Sequence, residues 1–193
     1  KAVWDEGMAY LDGRTIGLDG VDAQFDNYRR KGFAPAYRTI RFGGRLAGRP
    51  IDGGTLTAVT PALLPDVLTF DRRSFPEQRD GFLARWLAPP HLACVAAAHD
   101  AVTGYGVARR CRSGWKIGGL TAIDDRTAAA LVQHLAVSVD GDIFIDVPAA
   151  RQAFIGFLLG AGLRPGFETT RMYRGNPIPL APALYGVTTL ELG

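Results

Sequence analysis

The sequence predicts an α/β protein built around one mixed sheet, and three observations predict it. Helical and strand-like apolar periods alternate along most of the 193 residues. A block near the start, Gly32-Phe33-Ala34-Pro35-Ala36-Tyr37-Arg38-Thr39-Ile40-Arg41-Phe42, recurs downstream as Gly162-Leu163-Arg164-Pro165-Gly166-Phe167-Glu168-Thr169-Thr170-Arg171-Met172, at a constant offset of 130. An aspartate ends an apolar strand ahead of each block, Asp19 after Ile16-Gly17-Leu18 and Asp146 after Ile143-Phe144-Ile145, at a separation of 127. A period this long points to two copies of a domain and not to a solenoid. Since 31 residues precede Gly32 and more than a hundred precede Gly162, the first copy is expected to start partway through. Residues 1–42 then read as the C-terminal portion of a first domain, 43–54 as a linker and 55–193 as a complete second domain.

Each element follows from local chemistry. Residues 1–11 place Val3, Trp4, Met8 and Leu11 on one helical face, stopped by Asp12-Gly13. Thr15–Leu18 reads as a buried strand. Asp22 opens a helix to Lys31, and Gly32 follows in the position that ends a helix, with Phe33 as the apolar contact. Ala36–Phe42 alternates as a strand. Residues 43–54 hold five glycines and one proline, a flexible composition. Leu56–Val59 is a strand, Thr60-Pro61 starts a helix toward Asp71, and Glu77–Leu87 is amphipathic. Leu92–Ala98, Val102–Arg109 and Trp115–Leu120 are strands, the first pair turned at His99-Asp100 and the second at Ser113-Gly114. Asp124 or Asp125 caps a helix whose apolar side is Ala128, Leu131, Val132 and Leu135. Ile143–Val147 is a strand, Pro148–Leu159 a helix, and Thr169–Arg174 and Tyr185–Leu190 the last strands.

Composition narrows the function classes. An apolar fraction of 47% suits a protein with a real core, and no stretch approaches the ~20 apolar residues of a membrane span. No membrane partner is expected. Lys1 opens a helical pattern and not a signal peptide. Cys94 and Cys111 make neither a CxxC pair nor a disulfide framework, which suits the cytoplasm. His91, His99 and His134 lack ligand spacing, so no metal is expected. The net charge is +3, with acidic residues interspersed. Arg109, Arg110 and Arg112 form the densest basic run and read as a solvated strand end, so no nucleic-acid partner is expected.

Several short motifs carry a family likeness. They are Ile16-Gly17-Leu18-Asp19-Gly20-Val21, Asn27-Tyr28-Arg29-Arg30-Lys31-Gly32-Phe33 and Tyr37-Arg38-Thr39-Ile40-Arg41 in the first part. In the second they are Ile117-Gly118-Gly119-Leu120, Ile145-Asp146-Val147-Pro148 and Thr170-Arg171-Met172-Tyr173-Arg174-Gly175. Together with the element order, they resemble a tandem bacterial branch of the GNAT superfamily of acyl-CoA-dependent N-acyltransferases. The resemblance implies acetyl-CoA or another acyl-CoA as co-substrate, an amine of a small molecule or peptide as acceptor, and an assembly compatible with a homodimer. It also implies that the fourth and fifth strands of each domain splay apart, that the pantetheine arm hydrogen-bonds into the gap, and that the pyrophosphate rests on a loop entering the third helix.

In the second copy this points to Gly118, Gly119, Leu120, Thr121 and Arg126 as cofactor-binding residues. Leu120–Thr127 nevertheless has no glycine and carries Asp124 and Asp125, which oppose a pyrophosphate. In the first copy the corresponding loop would lie upstream of Lys1. Tyr28, four residues before Gly32, matches a tyrosine that protonates the departing thiolate in many such enzymes; its bland alternative is a ring packed on the sheet. The equivalent second-copy position is Leu158, which has no proton to give. Asp19 and Asp146 are the remaining catalytic candidates, with helix capping as their structural alternative. Asp71 and Glu168 are candidate bases. Arg41 and Arg171 can make a buried ion pair or contact an acidic ligand. A second, non-catalytic reading makes residues 55–193 a module that binds a ligand or completes the substrate pocket.

Overall fold

Alternating apolar residues and glycine-marked turns produce ten strands and six α-helices among the described residues of the computed structural model, which are 2–47, 51–75 and 77–191. Lys1, residues 48–50 of the expected linker and the last two residues of the expected second domain lie outside them. The chain runs α1 (Ala2–Tyr10), β1 (Ile16–Gly20), a 3₁₀ turn (Asp22–Gln24), α2 (Phe25–Arg30), β2 (Ala34–Gly44), β3 (Thr55–Ala58), α3 (Leu64–Asp71) and α4 (Asp80–Trp86). It continues through β4 (Leu92–Ala98), β5 (Ala101–Arg110), β6 (Trp115–Ile117), β7 (Leu120–Ala122), α5 (Asp125–Val137), β8 (Ile143–Pro148), α6 (Gln152–Gly160), β9 (Arg164–Arg174) and β10 (Leu184–Gly186).

All ten strands join one mixed sheet in the order β1-β9-β2-β8-β6-β5-β4-β3, with β7 paired to β5 and β10 paired to β7. The β6–β8 pair is parallel, whereas β4–β5 and β2–β9 are antiparallel. The block β1-β9-β2-β8 reads alike from either end. Strand β9 lies between β1 and β2, and strand β2 lies between β9 and β8. Strands β2 and β9 are each eleven residues long, and Thr39 pairs with Thr169, its counterpart at the 130-residue offset. Helices α2 and α6 close in the same way. Gly32 and Gly162 both take positive φ, 86° and 101°, where a side chain would be strained. The Phe33 and Leu163 amides reach back to the Tyr28 and Leu158 carbonyls at 3.1 and 3.0 Å.

Period-two alternation divides the core between the two faces of the sheet. Cys94 and Ala96 of β4 join the cluster under α5 and α6, which includes Phe42, Leu131, Ile145 and Phe154. Val95 joins Val67, Phe70, Leu83, Tyr105 and Val107 under α3 and α4.

Four expectations are corrected. The expected apolar face of α1 is covered only in part: Trp4, Met8 and Leu11 are half-buried, whereas Val3 is 89% exposed. Trp4 alone finds aromatic partners, with ring centroids 6.1 Å from Tyr28 and 6.2 Å from Phe33. The expected strand Trp115–Leu120 breaks at Gly118-Gly119, where Gly119 takes φ 77°. The helix expected from Thr60-Pro61 starts at Leu64, because the Thr60 carbonyl first closes a turn on the Leu63 and Leu64 amides. The helix expected from Pro148 starts at Gln152, because Pro148 still belongs to β8.

Candidate active site

Two ion pairs link the strands of the repeated blocks crosswise. Arg41 of β2 faces Asp146 of β8, with Nε donating to Oδ1 at 2.7 Å and Nη2 to Oδ2 at 2.9 Å. Arg171 of β9 faces Asp19 of β1, with Nη1 donating to Oδ2 at 2.7 Å. Both pairs sit in register across adjacent strands. The Lys116 ammonium of β6 also contacts Asp146 Oδ2, without a well-directed hydrogen bond. Burial opposes ionisation of both aspartates, but the outcomes differ. The Arg41 hydrogen bonds and the Lys116 charge outweigh burial at Asp146 and hold its carboxyl below the usual range. At Asp19 burial wins over Arg171, and the carboxyl is raised.

Arg41, Asp146 and Lys116 line a cavity of about 310 Å³ together with Arg109, Cys111 and Glu191. Lys116, Arg109 and Cys111 are not legible as a group, because two strand residues and one in the turn between their strands carry no shared spacing signal. Lys116 is one of three lysines in the chain, and its side chain is 8% exposed. Burial pushes the Lys116 amine down to about 8 against the pull of Asp146. A lysine depressed from 10.5 on folding binds more protons when unfolded, so stability rises with pH between about 8 and 10.5. We expect a gain on the order of 1–3 kcal/mol over that window, measured by urea unfolding at several pH values and absent in Lys116→Met.

The residues expected to hold the cofactor converge on another feature. Strands β6 and β8 are parallel over Trp115–Ile117, and beyond the break at Gly118-Gly119 strand β7 no longer pairs with β8. The gap is filled by the chain itself. Leu184 pairs with Thr121 and Gly186 with Leu120, the Ala122 amide donates to the Ala183 carbonyl at 2.9 Å, and the Val187 amide donates to the Asp146 carbonyl at 3.0 Å. Ala183 and Tyr185–Thr188 are buried. A Cβ on Gly118 would lie 2.3 Å from the Thr188 carbonyl oxygen. At the mouth of α5 the Asp124 side chain accepts from the Thr127 amide at 2.7 Å, so Asp124 is the cap. Arg126 turns away to Asp52, donating to its carbonyl at 2.6 Å. The backbone edges that would receive the arm of an acyl-CoA are therefore paired within the chain, and Asp124 holds the Thr127 amide at the helix terminus, so an extended arm does not fit this gap as the chain is folded.

The other candidates are spread over the sheet. Tyr28 packs its ring with Trp4 and Phe33, and a Cβ on Gly20 would touch it, so it belongs to the aromatic cluster beside edge strand β1. The strand order puts β9 and β2 between β1 and β8. Asp19 and Tyr28 thus lie at one end of the block and Asp146 at the other. Leu158 is fully buried. Asp71 sits in a buried network with a bidentate hydrogen bond from Arg79, at 2.8 Å to each oxygen, and another from the Tyr105 hydroxyl. Glu168 pairs with Arg38 at the surface. Among the described residues, no helix is long and apolar enough to cross a membrane.

Known proteins share this architecture. Residues 67–186 match the acetyltransferase (GNAT) domain family. Holothin acyltransferase of Pseudoalteromonas sp. (strain SANK 73390) is 29% identical over 196 residues, covering 97% of this chain and 65% of that protein. A putative acetyltransferase from Pyrococcus horikoshii superposes with a TM-score of 0.79 at 20% identity, covering 98% of this chain and 64% of that one. A GCN5-related N-acetyltransferase from Sphaerobacter thermophilus does so with a TM-score of 0.60 at 15% identity, over 93% and 67%. At such identities the two structures speak for the fold. The chain spans about two thirds of the length of the first two of these relatives. With that match across more than half of its length, on a mixed sheet with a parallel pair that parts, the chain belongs to the GNAT acetyltransferase-domain family.

Proposed function

We propose that this protein is an N-acyltransferase that moves an acyl group, acetyl in the simplest case, from acyl-CoA to the amine of a small molecule or peptide. The observation that carries the reaction class is the family match over residues 67–186. We also propose that it is built from two copies of the GNAT unit, with residues 1–42 from the first and 55–193 from the second. The register in which Thr39 meets Thr169, and the crossed pairs Arg41–Asp146 and Arg171–Asp19, support that reading. In it each copy places its long strand between two strands of the other.

Within this reading Asp19 and Asp146 position strands, since each is held by an arginine across the sheet. Tyr28 is the proton donor: it stands four residues before Gly32 and is half-buried beside β1, and a phenol has a proton to give. The test is thiol release from acetyl-CoA by the full-length protein with a panel of amines, beginning with holothin, the compound named for the relative. Amine-dependent release is expected, and Tyr28→Phe is expected to lower turnover about 100-fold. Release at the same rate with and without amine would count against transfer, and an unchanged rate in Tyr28→Phe would remove that residue from the chemistry.

A further inference from the structure

Resting on the reading above, we infer that residues 183–189 are a built-in occupant of the gap between β7 and β8, taking the place of the extended arm of an acyl-CoA. This half of the protein then completes the sheet and leaves acyl-CoA binding to the other half. A gap between two parting parallel strands exposes backbone donors and acceptors on both edges, and each buried one needs a partner. Here the chain supplies them. Strand β10 pairs antiparallel with β7 on one side, and Val187 donates to the Asp146 carbonyl on the other.

The segment is anchored at each end as well as along its edges. Arg151, at the start of α6, donates to the Leu184 carbonyl at 2.9 Å and the Ala181 carbonyl at 2.7 Å, and its guanidinium stands 4.9 Å from the Tyr185 ring centroid. The Tyr185 ring meets Phe154 edge-on at 5.3 Å. Burial raises the Tyr185 hydroxyl to about 12, and the neighbouring Asp125 carboxylate at the mouth of α5 adds to the rise. A phenol and two carboxylates thus surround the helix terminus that would otherwise receive a pyrophosphate. At the far end, Thr188 lies against Gly118 and accepts a long hydrogen bond from Arg79 at 3.5 Å. Opening the gap to a cofactor would break the β7–β10 ladder, strip both Arg151 hydrogen bonds and expose Tyr185 and Val187, which are buried now.

Hydrogen exchange read by mass spectrometry on the full-length protein tests this, with and without millimolar acetyl-CoA, while thiol release with amine is followed in the same samples. Exchange in 183–189 and 120–124 is expected to stay within about twofold of the cofactor-free rate. Acceleration of 183–189 by about tenfold or more, with slowing in 120–124, would mean that acetyl-CoA displaces the segment, and the inference would fall. Such displacement would leave the N-acyltransferase reading intact. Absent thiol release with undisturbed exchange would instead sink that reading and leave the occupied gap standing.

Discussion

Asp146→Ala is expected to lower the unfolding free energy by about 3–5 kcal/mol, because it leaves two cations without their shared partner. Asp146 is 1% exposed, Lys116 is 6% exposed, and the Arg41 guanidinium reaches the same carboxylate with two hydrogen bonds. Asp19→Ala strands a single arginine and is expected to cost less. The pH dependence separates the two carboxylates. Asp146 is depressed in the folded protein, so its stabilisation is present above the unfolded value of 3.8 and is lost as the pH falls through the folded value. Asp19 is raised, so the folded protein holds its proton more tightly, and stability declines as the pH rises from 3.8 toward the folded value. Urea unfolding below about pH 5 should therefore show acid sensitivity reduced in Asp146→Ala and increased in Asp19→Ala. Equal acid profiles in the two variants would contradict the assignment.

Phe42→Ala is expected to cost about 3–5 kcal/mol through the cavity it leaves. Phe42 comes from the N-terminal segment, yet it is 1% exposed and belongs to the cluster that also holds Leu131, Ile145 and Phe154. Strand β2 carries it there by lying between β9 and β8. Val3→Ala, on the open face of α1, is expected to change stability by no more than about 0.5 kcal/mol. A single cooperative urea transition in both variants, with the midpoint shifted in Phe42→Ala alone, is the expected outcome. Two separate transitions would mean that residues 1–44 fold apart from the rest.

Much of the protein is legible in its sequence. The strand and helix periods placed β4, β5, α5 and β8 to within a few residues, since each buries one face and its pattern records which. The 130-residue offset aligned Gly32 with Gly162, and both take the positive φ that glycine alone adopts freely. The Asp124-Asp125 pair marked the start of α5, and Asp124 caps it by accepting from the Thr127 amide. These are local properties, set by neighbouring residues along the chain.

What no local pattern contained is the identity of each strand's neighbour. Alternation in Ala34–Gly44 tells which side chains point to which face, but the hydrogen-bonding edges are the same backbone in every strand. Any strand of suitable length can fill them, and the choice of β9 and β8 as partners of β2 rests on contacts between residues 99 or more apart in the chain. The meeting of Arg41, Lys116 and Asp146 follows from that choice, as does the entry of Leu184–Thr188 into the gap beside β7. Unpaired backbone edges and buried charges must find partners, and it is the folded chain as a whole that supplies them.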